Sequence, residues 1–87
     1  MHNLDDLRKE IDHIDKKLVS LFERRMEIVS EIAAYKIQNN ISIEDSSREN
    51  DVLQKNIQYL NNSIFKESLM KFFNALMKIS KEFQDHF

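Results

Sequence analysis

The stretch Asn3–Gln38 reads NLDDLRKEIDHIDKKLVSLFERRMEIVSEIAAYKIQ. Its apolar positions are Leu4, Leu7, Ile11, Ile14, Leu18 and Leu21, then Ile28, Ile32 and Tyr35. Steps of three and four alternate along it, broken once by a step of seven. That spacing keeps one stripe on one side of a helix and gives it a coiled-coil-like seam. The step of seven hides one slot, and Arg25 fills it. Asn3 is the candidate N-cap, and Asp5 and Asp6 suit the positive end of the helix dipole. One helix over about residues 3–38 is predicted, roughly 52 Å long at 1.5 Å per residue.

Beyond it, Asn39-Asn40-Ile41-Ser42 interrupts the pattern. Paired Asn tolerate the left-handed conformation that ends helices where Gly is missing. A second helix is predicted over about 45–60, with Val52, Leu53, Ile57 and Leu60 inward. Asn61-Asn62-Ser63 is the next break, with Asn62 or Ser63 as the following N-cap. A third helix is predicted over 64–84, where Phe65, Leu69, Phe72, Leu76, Ile79 and Phe83 again alternate by four and three.

Composition points the same way. The chain has 87 residues, with no Gly, no Pro and no Cys. Average usage would supply about ten Gly and Pro in this length. A β-rich fold with many tight turns would want them. The expected class is therefore all-α: one domain over 1–87, a three-helix protomer with a long N-terminal helix. A compact domain of this size has a radius of gyration near 12 Å. The two shorter helices cannot cover a 52 Å seam, so a second copy of the chain is the simplest cover.

The lack of cysteine excludes disulfides and thiolate metal sites. No apolar run approaches the roughly 18 residues that span a bilayer, and Met1 to Asp6 lack the apolar core of a signal peptide. A soluble cytoplasmic protein is expected, without a membrane partner. The formal net charge of −2 does not favour nucleic acid. His2, His13 and His86 are scattered, without metal-ligand spacing. No phosphate loop or dinucleotide fingerprint is present.

A few polar residues stand out against the seams. Arg25 occupies a seam slot, where a lone charge is costly. It is either a snorkelling arginine, one paired with an acid such as Glu49, or an anion-binding group inside the bundle. Lys36 lies close to three turns on, about 16 Å along the same face. By itself it reads as a solvated lysine at a helix end. Ser80 and Gln84 share a face of the third helix; alone they read as surface polar groups. Asp45, Arg48 and Glu49 open the second helix and read as a cap with a local salt bridge. Arg8 reads as a surface residue.

Their order along the chain carries more than any of them singly. Leu7-Arg8-x2-Ile11, Arg25, Lys36, Asp45-x2-Arg48-Glu49 and Ser80-x3-Gln84 together closely resemble the small all-helical chorismate mutases. The likeness covers essentially the whole chain and runs without gaps from Leu4 to Leu53. Ser42 stands where such enzymes often carry a Pro, and the connection between helices two and three is slightly shorter.

The resemblance implies an intertwined six-helix homodimer that rearranges chorismate to prephenate without metal or cofactor. It implies two equivalent sites, each completed by one arginine from the other chain, here Arg8. Geometry agrees, since Arg8 and Arg25 lie about 25 Å apart along one helix. In an antiparallel pair, both can reach one ligand from opposite chains.

Within that site, Arg8 of the partner and Arg25 are implied to bind the two carboxylates, helped by Ser80. Asp45 and Glu49 would orient the ring hydroxyl, with Arg48 holding the acids and balancing charge. Lys36 and Gln84 would donate to the breaking ether oxygen. A lyase of the same fold, eliminating pyruvate from isochorismate, would use similar cations, although the Asp45-x2-Arg48-Glu49 cluster looks more like the mutase pattern. The heptad seams alone would also fit a non-catalytic helical dimer acting as a regulatory module. The placement of Arg25, Lys36, Ser80 and Gln84 in register speaks against that.

Overall fold

The computed structural model describes residues 3–87; Met1 and His2 lie outside the described residues. The first helix, α1, spans Leu4–Gln38. Asn3 caps it, its side chain accepting from the Asp6 N–H at 2.9 Å, which satisfies one donor that the first turn leaves unpaired. The far end closes through the Asn pair. Asn40 takes φ 56°, the left-handed region. The Ile41 N–H then donates to the Lys36 carbonyl at 2.8 Å, and the Asn40 N–H to that of Ile37 at 3.3 Å. This is a Schellman closure with asparagine in the place glycine usually holds.

The second helix, α2, spans Ser46–Gln58, with Asp45 as its N-cap. It ends two residues short of the predicted 60. Tyr59 and Leu60 donate to carbonyls three residues back, at 3.2 and 3.1 Å, so the last turn tightens out of α geometry. Val52, Leu53, Ile57 and Leu60 are all half-buried, as predicted. The third segment divides: a single 3-10 turn covers Ser63–Phe65, and α3 follows over Lys66–Gln84. Asn62 causes the split. Its side chain accepts from Ile64, only two residues on, at 3.1 Å, and such an Asx turn closes more tightly than a four-residue turn.

α3 packs against both α1 and α2, but not with the whole predicted stripe. Leu69 and Leu76 are half-buried, whereas Phe65, Phe72, Ile79 and Phe83 remain exposed. Met70, Phe73, Met77, Ser80 and Gln84 face the neighbouring helices instead. α3 therefore carries two adjoining apolar faces, and only one is used within the chain.

The shape follows. The described chain measures 56 × 24 × 16 Å, with a radius of gyration of 16.2 Å, against about 12 Å for a compact chain of this length. Only Val29 and Ala33 are buried apolar residues among those described. Leu4, Leu7, Ile11, Ile14, Leu18 and Leu21 line the first half of α1 and are all exposed. No helix among the described residues is long and apolar enough to cross a membrane.

Candidate active site

Ser80 is the one buried polar residue among those described, 5% exposed. Its hydroxyl donates back to the Leu76 carbonyl at 2.8 Å and accepts from the Arg25 guanidinium at 2.6 Å. The seam slot of α1 thus points its cation at the inner face of α3. Arg25 is half-buried. Burial lowers its pKa from the ordinary value, and the like charge of Arg48 lowers it further. The guanidinium still remains protonated, since arginine is not deprotonated in proteins. Two cations from α1 and α2 therefore face one another closely enough to interact. Among the described residues neither has a carboxylate partner; the ion pairs present are Arg24–Glu27 and Lys81–Glu44. Arg25 meets Ser80 rather than Glu49.

Lys36 is half-buried about one turn before the Asn closure, and its ammonium donates to the Ile43 carbonyl at 3.3 Å. An ammonium has three donors, so two stay open among the described residues. Gln84 lies one turn beyond Ser80 on the same face of α3. Its Oε1 is buried without a hydrogen-bond partner among the described residues. A buried amide oxygen left unpaired is costly.

Asp45 serves as a cap: its carboxylate accepts from the Arg48 backbone N–H at 3.0 Å. The local salt bridge expected with it is not formed among the described residues. Glu49 is half-buried and Arg48 exposed. Arg8 stands exposed on α1, on the same helix as Arg25 and far from it. The fold thus joins Arg25 directly to Ser80, sets Arg48 near them, and leaves Arg8 apart.

Sequence reasoning missed two residues, Glu44 and Lys81. They form an ion pair between the α1–α2 connection and α3. The hydrogen bond to Glu44 raises the Lys81 pKa most; burial opposes it next, and the charges of Glu44, Glu49 and Asp85 then add to the rise. A raised lysine contributes any stabilisation fully below its ordinary value and loses it only as pH rises through the raised one. That window lies above about 10.4, so the pair is formed throughout the neutral range.

A groove of about 670 Å³ runs along the open side, lined by Leu18, Leu21 and Phe22 of α1, Val52 of α2, and Phe72 and Ile79 of α3, with Arg25 and Arg48 among its walls. A smaller recess of about 370 Å³ between α2 and α3 includes Glu49 and Lys81. Lys36, Ser80 and Gln84 line neither.

Against known proteins, the family model described as chorismate mutase type II matches residues 7–85. The T-protein of Haemophilus influenzae is 43% identical over 54 residues, covering 62% of this chain and 14% of that protein. A bifunctional chorismate mutase/prephenate dehydratase of Buchnera aphidicola is 50% identical over 48 residues, 55% of this chain and 12% of the relative. Its counterpart in Aquifex aeolicus is 34% identical over 65 residues, 75% of this chain and 18% of the relative. The chain thus spans less than a fifth of the length of these curated relatives. No solved structure matches.

Proposed function

The chain belongs to the chorismate mutase type II family, and from that premise we propose that it rearranges chorismate to prephenate in a site shared between two copies. The observation that carries the reading is the bond from half-buried Arg25 to buried Ser80, with exposed Arg48 near it: polar chemistry drawn from three helices, with two cations that no carboxylate among the described residues neutralises. A dianion is the ligand such a cluster suits. Guanidinium forks match carboxylates bidentately. In this reading Arg25 takes one carboxylate and Arg8 of a second copy the other, while Ser80 supports the ring carboxylate. Asp45 and Glu49 hold the ring hydroxyl, and Arg48 balances their charge.

The rearrangement is a single pericyclic step. A carbon–oxygen ether bond breaks as a carbon–carbon bond forms, around a six-membered chair, with no proton transfer. The residues then have two tasks. One is to hold the reactive conformer, which the carboxylate clamps do by position. The other is to stabilise the partly negative ether oxygen. Lys36, with two free donors, and the amide of Gln84 are assigned to it. Each contributes about 2.7–4 kcal/mol if it behaves like a single oxyanion-hole donor. None of these roles calls on a metal or a cofactor.

The dimer part of the reading rests on the uncovered stripe of α1 and on the open groove beside it. A second α1 laid antiparallel would bury both and carry Arg8 to the far site.

The test is to incubate purified protein separately with chorismate and isochorismate and to follow the products. Prephenate from chorismate is the expected result. Pyruvate from isochorismate without prephenate would make the chain a lyase of the same fold. No turnover of either would leave a helical binding module and overturn the proposal.

A further inference from the structure

Three consecutive residues tie the connection between α1 and α2 to all three helices. The Ile43 carbonyl accepts from the Lys36 ammonium on α1 at 3.3 Å. The Glu44 carboxylate pairs with the Lys81 ammonium on α3. The Asp45 carboxylate caps α2 through the Arg48 N–H at 3.0 Å. Among the described residues, Glu44–Lys81 is the side-chain tie that fixes this connection to α3. Lys81 is placed for it by sequence: it follows Ser80 and precedes Gln84 by three, at the edge of the face that looks inward.

Ion pairs between partly exposed side chains add little to stability. Geometry is another matter. A lysine ammonium is a point charge on a flexible stem with rotatable donors. Engaging one donor with a fixed carbonyl limits where the other two can aim. The carbonyl is fixed only as well as its own segment is, and that segment follows a left-handed Asn in a chain with no Pro. We infer that Glu44 and Lys81 are a positioning pair, holding the α1–α2 connection so that the Ile43 carbonyl aims the Lys36 ammonium at the reacting ether oxygen. The inference rests on the role assigned to Lys36 above. Neither Glu44 nor Lys81 touches the substrate in it. Exchanging the two charges would be a poor test, because a carboxylate at position 81 would face Glu49 and Asp85, both of which act on Lys81.

The experiment compares Lys81→Met and Lys81→Arg with the unmodified chain, by kinetics on chorismate and by hydrogen exchange over residues 41–48. Lys81→Met is expected to speed exchange in that segment and to lower kcat about tenfold with KM little changed; a full 1 Å misplacement can cost about 100-fold. Lys81→Arg, which keeps the pair, should retain both properties. In a Lys36→Ala background, Lys81→Met should lower kcat no further, because the effect passes through Lys36. An unchanged kcat in Lys81→Met overturns the inference, and so does an equal further loss in the Lys36→Ala background. If the unmodified chain does not consume chorismate, the functional proposal fails on its own, and the exchange comparison still decides the tie: unchanged exchange in Lys81→Met contradicts it.

Discussion

Gln84 holds a buried amide oxygen to which no group among the described residues donates, one turn from a serine that accepts from an arginine. At the scale of single residues, the Gln84 amide carries an acceptor oxygen and a donor NH2 group, and only the NH2 can serve an ether oxygen. The amide at position 84 is assigned to the ether oxygen, and a carboxylate there would repel the charge that develops on that atom. Gln84→Glu should therefore be nearly inactive at neutral pH and regain activity as pH falls toward the carboxylate's own range, ordinarily near 4.3, where its protonated form can donate. A kcat–pH profile measures this, and a flat profile would contradict the role. Arg25 was legible as an anomaly because it stood in an apolar seam, but its meeting with Ser80 was not, since Ser80 and Gln84 read alone as surface polar groups and only the order of the residues along the chain grouped them. Nor was the pairing of Glu44 with Lys81. Opposite charges 37 residues apart on polar surfaces give no signal until the fold brings their elements together.

The helices themselves are set mostly by local chemistry, which is why their ends could be read. Asn3 and Asp45 cap as their residue types predict, and Asn40 takes the left-handed turn that the missing glycine left open. Asn3→Ala removes one such cap far from the cluster around Ser80. It should lower stability by about 1 kcal/mol and leave kcat on chorismate unchanged, as denaturant unfolding and steady-state kinetics would show. A loss of turnover at full occupancy of the folded state would mean that the start of α1 does more than cap. The start of the third helix was less legible. Asn62 was one of two candidate caps there, but a cap bonding two residues on makes a 3-10 turn, and the choice depends on geometry rather than composition. The facing of α3 was also hidden. Phe72 and Leu76 belong to one periodic stripe, yet only Leu76 turns toward the rest of its own chain. Periodicity finds an apolar stripe without saying which neighbour covers which part of it.

The whole molecule is long, thin and almost coreless: a 56 Å body in which Val29 and Ala33 are the buried apolar residues among those described. Area burial is the main source of folding free energy, so a chain with this shape should draw its stability from association. The length of the seam was legible in the sequence and predicted this excess over what α2 and α3 cover. Thermal unfolding should shift to higher temperature as protein concentration rises, since binding of folded partners stabilises by mass action. A concentration-independent midpoint, with a fully helical monomer in sedimentation, would contradict the shared architecture. The central claim joins that architecture to the chemistry: one site draws Arg25 from one copy and Arg8 from the other. It is tested most directly by mixing Arg8→Ala with Arg25→Ala protein under conditions that exchange subunits and assaying chorismate turnover. Each variant alone should be nearly inactive. In a mixed pair one site keeps both arginines and the other has neither; with random exchange about half the pairs are mixed, so activity should return to about one quarter of the unmodified level. Confirmed exchange between two inactive variants with no recovered activity would contradict the shared site.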